Sequence, residues 1–207
     1  MKRCVIVGGA PITEYDRIAG MLIPDDYVIY CDCGLDHMDK LGAKPDLIIG
    51  DFDSHPVPDT DVEIITLPVA KDDTDTVFAA SEALRRGFED FLIVGAVGGR
   101  FDHSLANASL LLMLHRAGAK AVLADDFSDM EILGSRPLEI SEKYKYFSLT
   151  CIFGAVSGVN IQGARFPLTD GRIEPDYQYA VSNEVLPGQT ATVSVKNGEV
   201  LLIKDYR

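Results

Sequence analysis

Five carboxylates fall in two short segments of this chain, Gly50-Asp51-Phe52-Asp53-Ser54 and Lys71-Asp72-Asp73-Thr74-Asp75. Carboxylates at that density repel one another unless a cation sits among them. Mg²⁺ suits the role, because it takes one or two carboxylates and completes its shell with phosphate oxygens and water. A third segment, Gly98-Gly99-Arg100-Phe101-Asp102-His103, adds a glycine turn that lets backbone approach an anion and a guanidinium that can grip phosphate. Together the three segments point to chemistry on a polyphosphate.

Each residue also has a plainer reading. Asp51 and Asp53 alternate, so in an extended chain they project to one side and can share a metal. In a turn, the same side chains bond backbone amides instead. Asp73 or Thr74 is placed to cap a following helix, whose free amides suit phosphate. Lys71, beside the aspartates, reads as a phosphate ligand rather than a solvated surface lysine. Asp102 is equally suited to capping the next helix and to binding substrate, and His103 to a structural and a catalytic role. Asn107 lies one turn further along the same helical face.

Such groups act together only if the fold gathers them. Residues 4–7, 27–31, 47–49, 62–67, 91–97 and 121–123 are short apolar runs rich in Val, Ile and Leu, and they predict buried strands. Residues 75–86 and 102–116 have helical periodicity, and Gly87 and Gly118 stand where helices end. This alternation predicts an α/β fold with a mainly parallel N-terminal sheet covered by helices on both faces. Ligands of such sheets bind beyond the carboxyl ends of the strands. Gly8-Gly9, Asp32-Cys33-Gly34 and all three charged segments fall there. Beyond about residue 130 the pattern changes to short β-like runs, predicting a C-terminal antiparallel β-sandwich. There, residues 192–196 and 199–203 flank Asn197-Gly198 and predict a two-stranded hairpin on a type I′ turn. The expected domains are residues 1–128 and 129–207.

With 207 residues and a formal charge of −13, the chain lacks the clustered cations a nucleic-acid partner requires. No apolar run is long enough to span a bilayer, and the N-terminal MKRCVIVGG reads as a first strand, so a cytoplasmic protein is expected. Cys4, Cys31, Cys33 and Cys151 lack zinc-ligand spacing and read as small apolar residues in a reducing compartment. Gly8-Gly9-Ala10 falls short of a dinucleotide fingerprint, and no Walker-type Gly-Lys-Ser/Thr occurs. A haloacid-dehalogenase-like phosphatase would place its Asp-x-Asp after the first strand, with Thr or Val where this chain has His55.

In the order and spacing of these motifs the chain resembles the thiamine pyrophosphokinase (thiamine diphosphokinase) family. That family carries an Asp-Gly-Gly-like turn, Gly-Asp-Phe-Asp-Ser, Lys-Asp-x-Thr-Asp, and Gly-Gly-Arg-x-Asp-His with a following Asn. Here these stand as Asp32-Cys33-Gly34, residues 50–54, residues 71–75, and residues 98–103 with Asn107. Val181-Ser182-Asn183-Glu184 matches the family's Ser-Asn motif. The resemblance implies a homodimer with active sites at the subunit interface, and pyrophosphoryl transfer from ATP to thiamine. It implies that Asp51, Asp53, Asp72 and Asp75 form a Mg²⁺–polyphosphate site and that Lys71 and Arg100 hold phosphates. Asp32, Gly34, Thr74, Asp102, His103 and Asn107 would bind substrate. Ser182 and Asn183, from the partner chain, would meet the thiamine pyrimidine. Eukaryotic members of that family can place a tryptophan over the thiamine ring, whereas this chain has none, with Tyr177, Tyr179 and Phe166 available instead, and it places Cys33 at the first turn glycine. Two other readings share this scaffold: a non-enzymatic nucleotide or thiamine-phosphate sensor, and a Mg²⁺-dependent transferase acting on a different alcohol.

Overall fold

The computed structural model describes residues 2–52, 56–68 and 73–207, and the chain divides into two compact units, Met1–Asp126 and Phe127–Arg207. In the first unit, β1 (Cys4–Val7), β2 (Tyr27–Cys31), β3 (Leu47–Gly50), β4 (Glu63–Thr66), β5 (Asp90–Val94) and β6 (Lys120–Ala124) form a sheet in the order β4-β3-β2-β1-β5-β6. Every pairing between them is parallel. Strands β1 and β3 are buried at every position, which is why they read as unbroken apolar runs rather than alternating ones.

Helices cover both faces. Val5, Val7, Val28, Tyr30, Leu92 and Val94 point to one side, where they pack with Ile18 of α1 (Tyr15–Ala19) and Leu41 of α2 (Met38–Leu41). The opposite side carries α3 (Asp75–Arg85), which contacts β1, β2 and β3, and α4 (Phe101–Arg116), which contacts α3 and β6. Ala79, Ala80 and Ala83 are the buried face of α3, small enough to bring that helix close to the sheet. Leu110, Leu111 and Leu114 do the same work for α4 with larger side chains. The helices end at Gly87 and Gly118, both with positive φ (90° and 84°), as their positions in the sequence predict.

The second unit is antiparallel. β7 (Ser128–Leu133), β13 (Val200–Asp205) and β9 (Tyr146–Thr150) lie in the order β7-β13-β9. A second sheet has the order β11-β10-β12-β8, built from β8 (Leu138–Ser141), β10 (Val156–Gln162), β11 (Leu168–Ile173) and β12 (Thr190–Ser194). Their buried faces share one core that includes Leu133, Phe147, Leu149, Val159, Ile161, Val193 and Leu202. This matches the sandwich expected from the sequence.

The Asn197-Gly198 hairpin does not form. β12 pairs with β10 and β8, whereas β13 pairs with β7 and β9, so the turn carries the chain from one sheet to the other. Both strands need to bury apolar residues in the same core, and facing each other across it buries Val193 and Leu202 together. Asn197 spends its turn chemistry elsewhere: its backbone N–H donates to Ser157 O and its side-chain amide to Ser157 Oγ, both at 3.1 Å.

Candidate active site

The strand order reverses at β1, which has β2 on one side and β5 on the other. This is the switch point at which parallel sheets open a crevice. A cavity of about 660 Å³ opens there. Gly8, Gly9, Ala10 and Pro11 line it after β1, Asp32 and Cys33 after β2, and Asp51 after β3. The start of α3 contributes Asp73, Thr74, Asp75 and Thr76, and the segment from β5 into α4 contributes Gly95, Ala96, Gly98, Gly99, Arg100, His103 and Asn107. Five strand-end segments that are far apart in sequence therefore meet in one place.

The floor is made by close backbone approach. Gly95 has φ +60°, and a Cβ there would lie 2.4 Å from Gly8 O, so the loops after β1 and β5 touch only because both positions are glycine. His37, buried at the end of a short 3₁₀ turn (Asp32–His37), braces the rim. Its Nε2–H donates to Ala10 O at 3.0 Å, and its Nδ1 accepts from Tyr15 Oη at 2.7 Å. The direction follows because a carbonyl oxygen can only accept.

Asp32 sits at φ +38°, a strained setting of the kind that collects at functional sites. Cys33 Sγ donates to Asp32 Oδ2 at 3.1 Å. Burial, and then this bond, push the Cys33 thiol up to about 11, which keeps its proton in place at neutral pH. Asp32 Oδ1 is buried and has no hydrogen-bond partner among the described residues. A buried carboxylate oxygen left without a donor is costly unless a cation or a ligand donor meets it. Phe52 takes φ +53°, so the chain leaving Asp51 is not extended. Among the described residues no group of three or more His, Cys, Asp or Glu side chains is placed to hold a metal. Asp53, Lys71 and Asp72 lie outside the described residues. The carboxylates that do line the cavity, with the unmet oxygen of Asp32, fit an oxygen-seeking cation such as Mg²⁺.

Thr74 caps α3, its hydroxyl accepting from Val77 N at 3.4 Å. Arg100 forms a two-pronged pair with Asp102, Nη2–Oδ2 at 2.6 Å and Nε–Oδ1 at 3.2 Å, which holds the Asp102 carboxyl below the usual range. Asp102 Oδ1 also accepts from His103 N. Asn107 is buried and bonded at both ends of its amide: Oδ1 accepts from Thr76 Oγ1 at 2.7 Å, and Nδ2 donates to Ala96 O at 2.8 Å. Of the expected site residues, Asp32, Asp51, Thr74, Asp75, Arg100, His103 and Asn107 line the cavity together, whereas Gly34 and Asp102 do not face it. Gly34 lies beneath, against Val7 O. Thr76, His37 and the loop at Gly95 carried no motif signal in the sequence.

The second unit has a separate hollow of about 130 Å³, lined by Phe166, Leu168, Tyr179, Val181 and Asn183 among others. Asn183 is buried, with Oδ1 accepting from Phe166 N and Glu184 N and Nδ2 donating to Phe166 O. This side chain therefore shapes the hollow as a brace. Asn183→Ala is expected to cost about 2 kcal/mol, the scale of leaving buried backbone groups unpaired, which a thermal melt would register. Neighbouring Ser182 has φ +55°, and its N–H donates to Ser148 Oγ at 3.0 Å.

Two family models match the chain: thiamin pyrophosphokinase, catalytic domain, over residues 20–123, and thiamin pyrophosphokinase, vitamin B1 binding domain, over residues 137–200. Among solved structures, a thiamine pyrophosphokinase from Bacillus subtilis is similar with a TM-score of 0.85 and 24% identity, covering 99% of each chain. One from Geobacillus thermodenitrificans has a TM-score of 0.82 and 25% identity over 98% of this chain and 97% of its own. The Candida albicans enzyme has a TM-score of 0.77 at 15% identity, over 99% of this chain and 88% of its own. A search of curated proteins gave no match.

Proposed function

This chain belongs to the thiamin pyrophosphokinase family and is a pyrophosphoryl transferase acting on thiamine, and from that premise we propose that its donor is ATP, its cofactor Mg²⁺ and its working form a homodimer. The thiamine hydroxyl attacks the β-phosphorus of ATP. A bond forms between that oxygen and phosphorus, the bond from the β-phosphorus to the oxygen of the α-phosphate breaks, the hydroxyl proton passes to solvent, and AMP leaves. The observation that carries this reading is the convergence of five strand-end segments on one carboxylate-lined cavity at the switch point of the sheet.

Asp51 and Asp75, with Asp53 and Asp72 from the neighbouring segments, would hold Mg²⁺. When bound, that ion neutralises phosphate charge and polarises the phosphoryl oxygens. The protein's own residues position the reactants, which is most of what phosphoryl-type transfer asks of an enzyme. Arg100 exchanges Asp102 for the polyphosphate, with Lys71 as a second phosphate ligand, while Asp32, Thr74 and His103 line the substrate's path. The Arg100–Asp102 pair is open to solvent on both sides, so releasing it costs little. Arg100→Gln is therefore expected to lower kcat/KM by roughly ten- to a hundredfold through one lost charge-assisted contact, with the melting temperature within about 1 °C of wild type. Steady-state kinetics and a thermal melt check the two halves.

For the acceptor, Phe166 and Tyr179 flank the hollow of the second unit and take the place of the missing tryptophan. Tyr177 stacks on Tyr179 with ring centroids 5.6 Å apart, and Phe166, Tyr177, Tyr179 and Val181 are all exposed. An exposed apolar patch of this kind supports a subunit interface bearing the site, with Ser182 and Asn183 supplied from the partner. The four cysteines are free thiols and no helix among the described residues is long and apolar enough to cross a membrane, which supports a cytoplasmic setting.

The test is incubation with ATP, Mg²⁺ and thiamine, with and without chelator. Equal amounts of AMP and thiamine diphosphate, both abolished by chelator, are expected. AMP alone would indicate another acceptor, and neither product from folded protein would favour a sensor.

A further inference from the structure

We propose that Thr76, through Asn107, is a positioning residue for the transfer: a buried strut that fixes the start of α3 against α4 and the loop after β5. Thr76 and Asn107 are 9% and 5% exposed, and neither has a polar atom to spare. Ala96 O can only accept, so Asn107 Nδ2 must face it at 2.8 Å and Oδ1 must face Thr76. Thr76 Oγ1 therefore donates to Oδ1 at 2.7 Å, and the 3.1 Å contact between Thr74 and Thr76 has the Thr74 hydroxyl as donor. The chain of hydrogen bonds runs in a single sense from the cap of α3, through the second turn of α4, to the loop after β5. On its other side the Thr76 methyl packs over Gly8, where a Cβ would come within 3.3 Å.

The strut ties together the segments that carry Asp75 and Arg100, the groups on which the transfer reading rests. A misplacement of about 1 Å in such groups can cost as much as a hundredfold in rate. The hydroxyl is needed specifically, since a valine of the same shape would leave Asn107 Oδ1 buried and unpaired.

The experiment compares Thr76→Val, Thr76→Ala and Thr76→Ser for kcat, for KM of both substrates and for amide hydrogen exchange. Thr76→Val and Thr76→Ala are expected to lose about tenfold or more in kcat while KM stays within about threefold, the pattern of a lost transition-state geometry. Exchange should accelerate across residues 95–99 and the first turn of α3, and Thr76→Ser should recover turnover to within about threefold of wild type. Thr76→Val or Thr76→Ala turning over like wild type overturns the proposal, and so does a Thr76→Ser enzyme no better than Thr76→Ala. If Thr76→Val does not fold, Thr76→Ala carries the comparison. If the wild-type protein forms no thiamine diphosphate, the transfer reading fails on its own. The exchange measurement then decides the strut, and unchanged exchange at 95–99 overturns it.

Discussion

Asp51→Asn is expected to lower turnover by about a thousandfold while leaving the metal-free protein as stable as wild type or slightly more so. The rate effect follows from the role proposed for the carboxylate in placing a divalent cation, worth several kcal/mol of transition-state stabilisation, at about 1.4 kcal/mol per factor of ten. The stability effect follows from crowding, because Asp32, Asp73 and Asp75 line the same cavity as Asp51 and their charges repel in the absence of a cation. Asparagine keeps the shape and one acceptor oxygen, so a turn that relied on Asp51 only for hydrogen bonding would survive it. Two measurements separate these roles: kcat at saturating Mg²⁺ and ATP, and melting temperature with and without both. Wild type should gain several degrees on adding Mg²⁺ and ATP, and Asp51→Asn much less. An Asp51→Asn protein that melts early and loses activity only in proportion to its unfolded fraction would assign Asp51 to the turn instead.

The strands legible in the sequence are short runs of Val, Ile and Leu, although β4, expected to be buried from the run 62–67, has no buried residue. β1, β2 and β3 are covered on both faces, so Val, Ile and Leu run without interruption and the strands stand out. α3 and α4 are long enough to show their period, and the glycines at 87 and 118 mark their ends. α1 and α2 have five and four residues, less than two turns, and too short to show a period. The run 91–97 predicts a strand reaching Val97, but β5 stops at Val94 because Gly95 turns to meet Gly8, a contact no local pattern announces. Asn197-Gly198 has the composition of a hairpin turn. What decides between hairpin and crossover is which sheet buries each flanking strand, and that is a property of the whole second unit.

In the site, the sequence showed which side chains the fold gathers, because Asp32, Asp51, Asp75, Arg100 and His103 all follow strand ends that open on one cavity. It did not show their orientation. Asn107 reads as a ligand from its place on α4, and its amide also ties Thr76 to Ala96. Asn183 similarly ties Phe166 to Glu184. Amides differ here from carboxylates: with both donor and acceptor they can link two buried segments, so their type and spacing alone do not separate a ligand from a brace.

Gly34→Ala is expected to destabilise the first unit by about 4 kcal/mol and to remove activity even in the fraction that stays folded. An added Cβ at this position would lie 2.2 Å from Val7 O and 3.0 Å from Val7 C, so the obstacle is strand backbone rather than a side chain that can rotate away. Val7 is the last residue of β1, and the Gly8-Gly9 loop that lines the cavity begins directly after it. Relief of the clash must therefore move either the end of β1 or the 3₁₀ turn that holds Asp32 at φ +38°. Either movement shifts Asp32 relative to the cavity, and this makes the rate effect inseparable from the packing effect at this glycine. For a chain of this size about 4 kcal/mol corresponds to a fall of roughly 8–16 °C in melting temperature. Thermal melts and single-turnover kinetics on the folded fraction test both parts. Near-wild-type turnover per folded molecule would mean that the turn absorbs the methyl without moving Asp32, and would overturn the expected loss of activity.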